Sequence, residues 1–272
     1  MKAAGRVLCR FRYIGLVDQI KYAIVLPFYN AFENQDFNIH RNGEKRVIDL
    51  IDVQHPLCVF DVGANVGEWS LMFSDKYPGS IIHAFEIRKH TGEVLVDKCR
   101  LNKNIVINNV GLSDSDEDIV IYYSSSDNLD ATSTHYPLFE MAENMKGYDN
   151  KEVCSVRKSL GYVEMNNIAK IDFLKIDVEG MELDVIRGFG DFIKKITIIQ
   201  FEYGIFNISS KALLYDICSY LKHYDFVIGK IFPKHIDFFE YSFEMENFFG
   251  GNYIAVSSKE KEVIERLAGK KM

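Results

Sequence analysis

The stretch VFDVGANVGEWS, Val59 to Ser70, reads as the end of a buried strand, a glycine turn and the first turn of a helix. Leu57 to Val62 is apolar except for Asp61, as a parallel strand covered on both faces requires. Gly63 and Gly67 frame a turn in which backbone, rather than side chain, must come close to something. Trp69, Leu71, Met72 and Phe73 follow at helical spacing. Strand, glycine loop and helix in that order put free backbone N–H groups at the mouth of a sheet, a site that favours nucleotide-like ligands.

Outward from this stretch, the next apolar run, Ser80 to Phe85, ends in Glu86. That residue stands about twenty positions beyond the loop, where a carboxylate can take both ribose hydroxyls of a nucleoside. A glycine turn alone is weak evidence, because tight strand–helix turns need glycine for structural reasons. The turn and the acid together are stronger. Asn65 stands where a dinucleotide site wants its middle glycine, and Glu68 sits in the first helical turn. With Asp61, these acids oppose a pyrophosphate and suit a cationic ligand. S-adenosylmethionine carries a sulfonium, an ammonium and one carboxylate, so the local charge favours it over NAD. An NAD-dependent oxidoreductase and a non-catalytic nucleoside-binding module of the same fold are the alternatives.

The formal charge of −7, from 32 basic and 39 acidic residues, speaks against a general nucleic-acid binder but leaves room for a small basic pocket. A hydrophobic content of 47% and a mean hydropathy of −0.08 are those of a soluble globular chain with a substantial core. Five cysteines (Cys9, Cys58, Cys99, Cys154 and Cys218) are odd in number, widely spaced and without a C-x-x-C. They read as reduced thiols and a cytoplasmic location. Arg10 and Arg12 interrupt Val7 to Leu16, which therefore does not read as a secretory leader. No apolar span is long enough to cross a bilayer.

Taken in order, residues 1–56 form a helical extension, with helices over Val7 to Phe32 broken near Pro27 and a turn at His40 to Glu44. This extension is expected to cap a sheet edge. The sharper alternative is a docking helix for a membrane surface or a partner enzyme, which would make the protein membrane-peripheral. From 57 to 258 strands and helices alternate, which predicts an α/β, doubly wound, mostly parallel sheet with an antiparallel final strand. Its strands are Leu57 to Val62, Ser80 to Phe85, Ile105 to Val110, Phe173 to Ile176, Ile196 to Phe201, Phe226 to Phe232 and Asn252 to Ser257, with Ile119 to Tyr123 as an extra one. Residues 124–158 read as an insertion, either a lid or a plain surface excursion, and 259–272 as a charged tail.

FDVGANVG, HAFE, NVGLSD, FLKIDVEGMELDVIRG and QFEYG together resemble the motif series of FkbM-family S-adenosylmethionine-dependent methyltransferases, from Val59 to Phe206, with a compatible end near NYIAV. The resemblance implies a class I, Rossmann-like methyltransferase fold and O-methylation of sugars or natural products, with bacterial surface glycans the commonest context. Ile87 departs from the proline that the family often has there, beside the ribose.

Four carboxylates, Asp61, Glu86, Asp177 and Glu202, finish four apolar strands, whose ends converge on one crevice in a doubly wound sheet. Their repulsion asks for a cation. Asp61 is placed at the methionine end of the cofactor and Glu86 at the ribose. Gly63, Ala64, Asn65 and Gly67 wrap the ligand, Leu112 and Ser113 line the adenine, and Ile87 and Asp177 border the same site. For the reaction, Asp177 and Glu202 are candidates for the base or for anchoring the acceptor hydroxyl, with Glu179 behind them. The plainer reading of Glu179 is a helix-start charge, and that of His135 a solvated loop histidine. A Mg²⁺ ion held by Asp177 and Glu202 ranks below metal-free catalysis, because no compact ligand motif is present. Tyr203, Phe206, Tyr123 and Tyr136, with the polar run Ser124 to Thr134, are candidate contacts for a small-molecule or glycan acceptor.

Overall fold

Cys58–Val62 is strand β1, and four of its five residues are buried. Its side chains alternate between two cores: Val59 packs with Trp69 and Phe73 on one face, Phe60 and Val62 with Leu183 and Phe189 on the other. The computed structural model describes residues 21–51, 55–124, 133–136, 148 and 150–269. Its other strands are β2 Ile81–Phe85, β3 Ile105–Asn108, β4 Gly111–Ser113, β5 Glu117–Tyr123, β6 Asn150–Lys158, β7 Ile171–Ile176, β8 Ile196–Glu202, β9 Phe226–Ile231, β10 Ile236–Phe238 and β11 Asn252–Ser257.

Eight of these make one sheet in the order β10-β9-β11-β8-β7-β1-β2-β3. The neighbours from β8 through β7, β1 and β2 to β3 are parallel, while β11 runs antiparallel to both β8 and β9. This is the mixed α/β, mostly parallel architecture expected from the alternation of strands and helices. Helices Glu44–Leu50, Glu68–Lys76 and Lys261–Ala268 cover one face. Ser159–Met165, Glu182–Gly188 and Leu214–His223 cover the other.

The third expected strand stops at Asn108, and Asn109 turns the chain into β4. Ile119 to Tyr123 does form a strand, but in a second sheet of order β4-β6-β5. Its partner β6 occupies the last nine residues of the stretch read as an insertion. Most of the remainder of that stretch, with the first twenty residues of the chain, lies outside the described residues. Pro27 lies in the first turn of helix Leu26–Phe32, where a missing N–H breaks no helical hydrogen bond. Among the described residues, no helix is long and apolar enough to cross a membrane.

Candidate active site

The loop after β1 is shaped by left-handed backbone. Gly63 has φ +84°, and a Cβ there would lie 1.8 Å from the Asp177 carbonyl oxygen, so only glycine lets β1 and β7 approach at this point. The N–H groups of Gly63 and Ala64 donate to the Phe85 carbonyl at 3.0 and 2.8 Å, and Asp177 N–H donates to Val62 O at 2.9 Å. The ends of β1, β2 and β7 are thereby locked together. Asn65, at φ 47°, donates its N–H to Glu86 Oε2 at 2.9 Å, and Arg88 N–H donates to Oε1 at the same distance. Burial pushes the Glu86 carboxyl up to about 7 against the pull of these two N–H groups.

Around Glu86 lies a cavity of about 60 Å³. Gly63, Asn65, Glu86, Ile87, Leu112 and Asp177, six of the residues expected to hold the cofactor, line it. Sequence reading missed Thr91, Ile121, Val156, Val178 and Met181. Ile121 and Val156 belong to the small sheet, whose pairing no local pattern reveals. With Ile87, Leu112 and Met181 they make an apolar slot beside a carboxylate. Two polar atoms of this wall, Asn65 Oδ1 and Thr91 Oγ1, are buried and have no hydrogen-bond partner among the described residues. An apolar slot, a carboxylate and two unsatisfied polar atoms fit a nucleoside.

Four predicted contacts lie elsewhere. Asp61 is fully buried beneath the loop: its Oδ2 accepts from Ser70 Oγ at 2.7 Å, and its Oδ1 lies 3.6 Å from Lys175 Nζ. It shares a sheet face with Val59 and so points under helix Glu68–Lys76, away from the cavity. Ser113 is 3% exposed, and its carbonyl accepts from Ser159 Oγ, under helix Glu182–Gly188. Ala64 and Gly67 are structural: Ala64 is buried, and Gly67, at φ +88°, caps the helix against Leu95 and Cys99.

Two of the four strand-end acids, Asp61 and Asp177, meet a cation supplied by the chain. Lys175 is 5% exposed, with Nζ 3.1 Å from Asp177 Oδ2. Burial alone would lower its pKa, but Asp177, Asp61 and Glu44 together raise it, keeping the ammonium charged. The polar row runs on across the sheet, Gln200 lying in register with Lys175 and donating to Glu44 Oε2 at 2.7 Å.

Above this row a second, wider cleft of about 770 Å³ opens. Asp177, Glu179 and Glu202 converge on its wall, with one carboxylate oxygen from each within 4.8 Å of the others. Burial raises Glu202 well above the usual carboxylate range, and Asp177 and Glu179 raise it further. Burial would also raise Asp177, but Lys175 and the hydrogen bond shared with Glu202 hold it below its ordinary value. The two carboxyls share a hydrogen bond and titrate as a pair, with Glu202 pushed toward its protonated form and Asp177 toward its ionised form. Glu179 is not the helix-start charge: it sits in a left-handed turn at φ 51°, before the helix begins. Glu182 has that role, accepting from the N–H of Gly180 at 3.1 Å, and burial pushes it up to about 7.

Of the aromatic candidates, Phe206 lines the cleft. Tyr203 is 1% exposed and bonded to Glu246, hence core. Tyr123 lies under the Arg88 guanidinium, 3.7 Å from ring centroid to Cζ, and Tyr136 O–H points to Asp184. His135 Nδ1 bonds the Val120 carbonyl rather than standing in solvent.

Curated relatives are similar to this chain at low identity. Methyltransferase 1 of Beauveria bassiana is 26% identical over 49% of this chain and 58% of its own length. The hexuronic acid methyltransferase AglP of Haloferax volcanii is 27% identical over 69% of this chain and 77% of its own. Methyltransferase sdnD of Sordaria araneosa is 27% identical over 62% and 75%. The model of the methyltransferase FkbM domain matches residues 61–228, from the end of β1 into β9. With more than half of the chain inside that match, the protein belongs to the FkbM methyltransferase family.

Proposed function

We propose that the protein is an S-adenosylmethionine-dependent O-methyltransferase acting on a hydroxyl of a sugar. One observation carries the reading: Gly63, Asn65, Asp177 and Glu179 line both the cavity beside Glu86 and the wider cleft, so a donor in one and an acceptor in the other meet at a shared wall. When bound, S-adenosylmethionine supplies an electrophilic methyl group. The residues of this chain do the rest. Glu86 accepts from the ribose hydroxyls through the lone pairs its two backbone donors leave free. The apolar slot of Ile87, Leu112 and Ile121 holds the base. Asp177 is the anion at the wall and receives the acceptor proton, with Glu202 and Lys175 fixing its position and charge.

The cleft also bears on the acceptor. Glu44, Asp177, Glu179, Glu182 and Glu202 line it, with Asn42, Asn65, Asn207 and Asn252, and no Lys or Arg is among its described lining residues. Asn207 is 2% exposed, and its Nδ2 has no partner among the described residues. Amide donors, carboxylates and Phe206 suit a polyol, neutral or bearing an amine. A uronate, the class named for the Haloferax relative, would meet like charge. The reading is tested with methyl-labelled S-adenosylmethionine and matched neutral, amino and uronic glycosides, with products resolved by mass spectrometry. Label on a hydroxyl oxygen of a neutral or amino sugar is the expected result. Label on nitrogen or carbon, or preference for the uronate, overturns it.

A further inference from the structure

Glu202 closes β8 and pairs with Asn252, the first residue of antiparallel β11. The chain leaving one strand therefore runs beside the chain entering the other, and Gly204 meets Gly250: a Cβ added to Gly204 would lie 3.3 Å from Gly250 Cα. Side chains resume at Ile205 and Phe249, and both line the acceptor cleft. The glycine seam leaves an opening between the carboxylates and these apolar residues. A Cβ at Gly250 would sit 3.6 Å from Glu202 Oε1 and 3.9 Å from Phe37 Cε1, so one open point is shared by the carboxylate and the ring.

Four apolar side chains make the outer wall of the cleft. Phe37 is 79% exposed, Ile205 and Ile208 are each 43% exposed, and Phe249 is 37% exposed. Single exposed apolar side chains are ordinary on protein surfaces, but several lining one concavity mark a ligand surface. This wall is firmly held. Gln35 Nε2 donates to the Phe249 carbonyl, and the Tyr29 ring meets that of Phe249 edge-on at 5.0 Å. Ile205 and Ile208, three residues apart, share one side of helix Phe206–Ser210, whose start is fixed by the Gly204 N–H donating to Asn207 Oδ1 at 2.9 Å.

Two chemistries thus meet in one cleft. Its inner end offers Asp177, Glu179 and Glu202 to hydroxyl protons, and its mouth offers aromatic and aliphatic surface. A bare sugar would satisfy the inner end and leave the apolar wall in water. A hydroxyl-bearing ring joined to an apolar group fills both.

We propose that Phe37, Ile205, Ile208 and Phe249 form a subsite for an apolar aglycone, so that the acceptor is an amphiphilic glycoside whose sugar reaches Asp177 across the glycine seam. The subsite stands on the lining of the cleft. That the sugar is methylated there rests on the function proposed above.

The test is calorimetric binding of methyl and 2-naphthyl β-D-glucoside, and of the matching glucosaminides, to the full chain with and without S-adenosylhomocysteine. The members of each pair differ only in the aglycone. The naphthyl member is expected to bind at least tenfold tighter. Tenfold is about 1.4 kcal/mol, which at about 25 cal/mol per Å² asks for about 60 Å² of apolar surface removed from water, less than one aromatic ring system buries. Phe37→Ser/Ile205→Ser is expected to cut the preference to threefold or less while binding S-adenosylhomocysteine like wild type, since neither residue lines the cavity beside Glu86. Serine suits position 205, the N-cap of its helix. Leu101→Ser, at a residue 84% exposed that lines neither cavity, is expected to keep the full preference. No binding of the naphthyl members, equal binding within each pair, a double variant that keeps the preference, or its loss in Leu101→Ser overturns the subsite. Methyl transfer to a glycoside hydroxyl without the preference sinks the subsite alone, whereas the preference without transfer to any of the four glycosides counts against the functional reading alone.

Discussion

Asp61 and Lys175 stand opposite one another in register on parallel strands β1 and β7, with Nζ 3.6 Å from Oδ1 and both side chains buried. The ammonium also reaches Asp177, so one lysine joins the foundation of the glycine loop to the wall of the acceptor cleft. Removing one member of a buried pair strands the other charge, at a cost of about 3–5 kcal/mol. Lys175→Met should therefore lower Tm by roughly 6–20 °C, at about 2–4 °C per kcal/mol for a chain of this size. Asp61→Asn added to Lys175→Met should recover part of the loss. Equal melting of wild type and Lys175→Met would show that Lys175 does not compensate these acids.

Gly63→Ala puts a Cβ 1.8 Å from a backbone carbonyl at φ +84°, where no side chain can yield. Strain of this kind costs of order 1–3 kcal/mol where the backbone adjusts. The adjustment moves the wall common to both cavities. Calorimetric affinity for S-adenosylhomocysteine should fall about tenfold or more, in line with about 1.4 kcal/mol per decade. Undiminished affinity would separate this loop from nucleoside binding.

Glu86 titrates near 7 because burial opposes its charge. Ribose hydroxyls donate best to the ionised form, so nucleoside affinity should weaken as pH falls from 8 to 6, and Glu86→Gln should flatten that profile at a lower affinity. Stability has the opposite sign. The folded pKa lies above the ordinary carboxyl value of 4.5, so ionisation costs wild-type stability as pH rises from about 4.5 to 7. Glu86→Gln, which cannot ionise, should gain stability relative to wild type over that window. Thermal melts at pH 5 and pH 8 measure the difference.

Asp177→Asn removes the anion proposed to take the acceptor proton and should lower turnover by about 10²–10⁴-fold, the range for a general base. Glu202→Gln keeps a neutral hydrogen-bonding group beside Asp177, as the upward shift of Glu202 favours, and should retain more activity than Asp177→Asn. The reverse order would move the base to Glu202.

Asp177, Glu179 and Glu202 lie close enough for one divalent ion. The Lys175 ammonium, 3.1 Å from Asp177, already flanks that group and competes with it. Methyl transfer should therefore persist in chelator. Loss of activity in chelator, restored by Mg²⁺, would instead place a metal among the three carboxylates.

The sequence alone was enough for the alternating fold and for bringing the glycine turn and Glu86 to one cavity, because both rest on local signals: apolar strands of fixed length, a glycine turn and an acid at a set distance. Which way each strand-end acid faces was beyond it. Asp61 and Asp177 look alike in sequence, each closing an apolar run before a glycine turn, yet one lies under a helix and the other on a cavity wall. That difference comes from strand parity and register, and register is set by pairing between segments more than a hundred residues apart. Lys175 was hidden for the same reason: its partner Asp61 comes within reach only once β7 lies beside β1. The apolar slot needed β5 and β6 to meet, and the acceptor cleft needed the segment around Phe37 and Glu44 to reach the ends of β8 and β11. Contacts of that range leave no local pattern, so only the folded chain decides them.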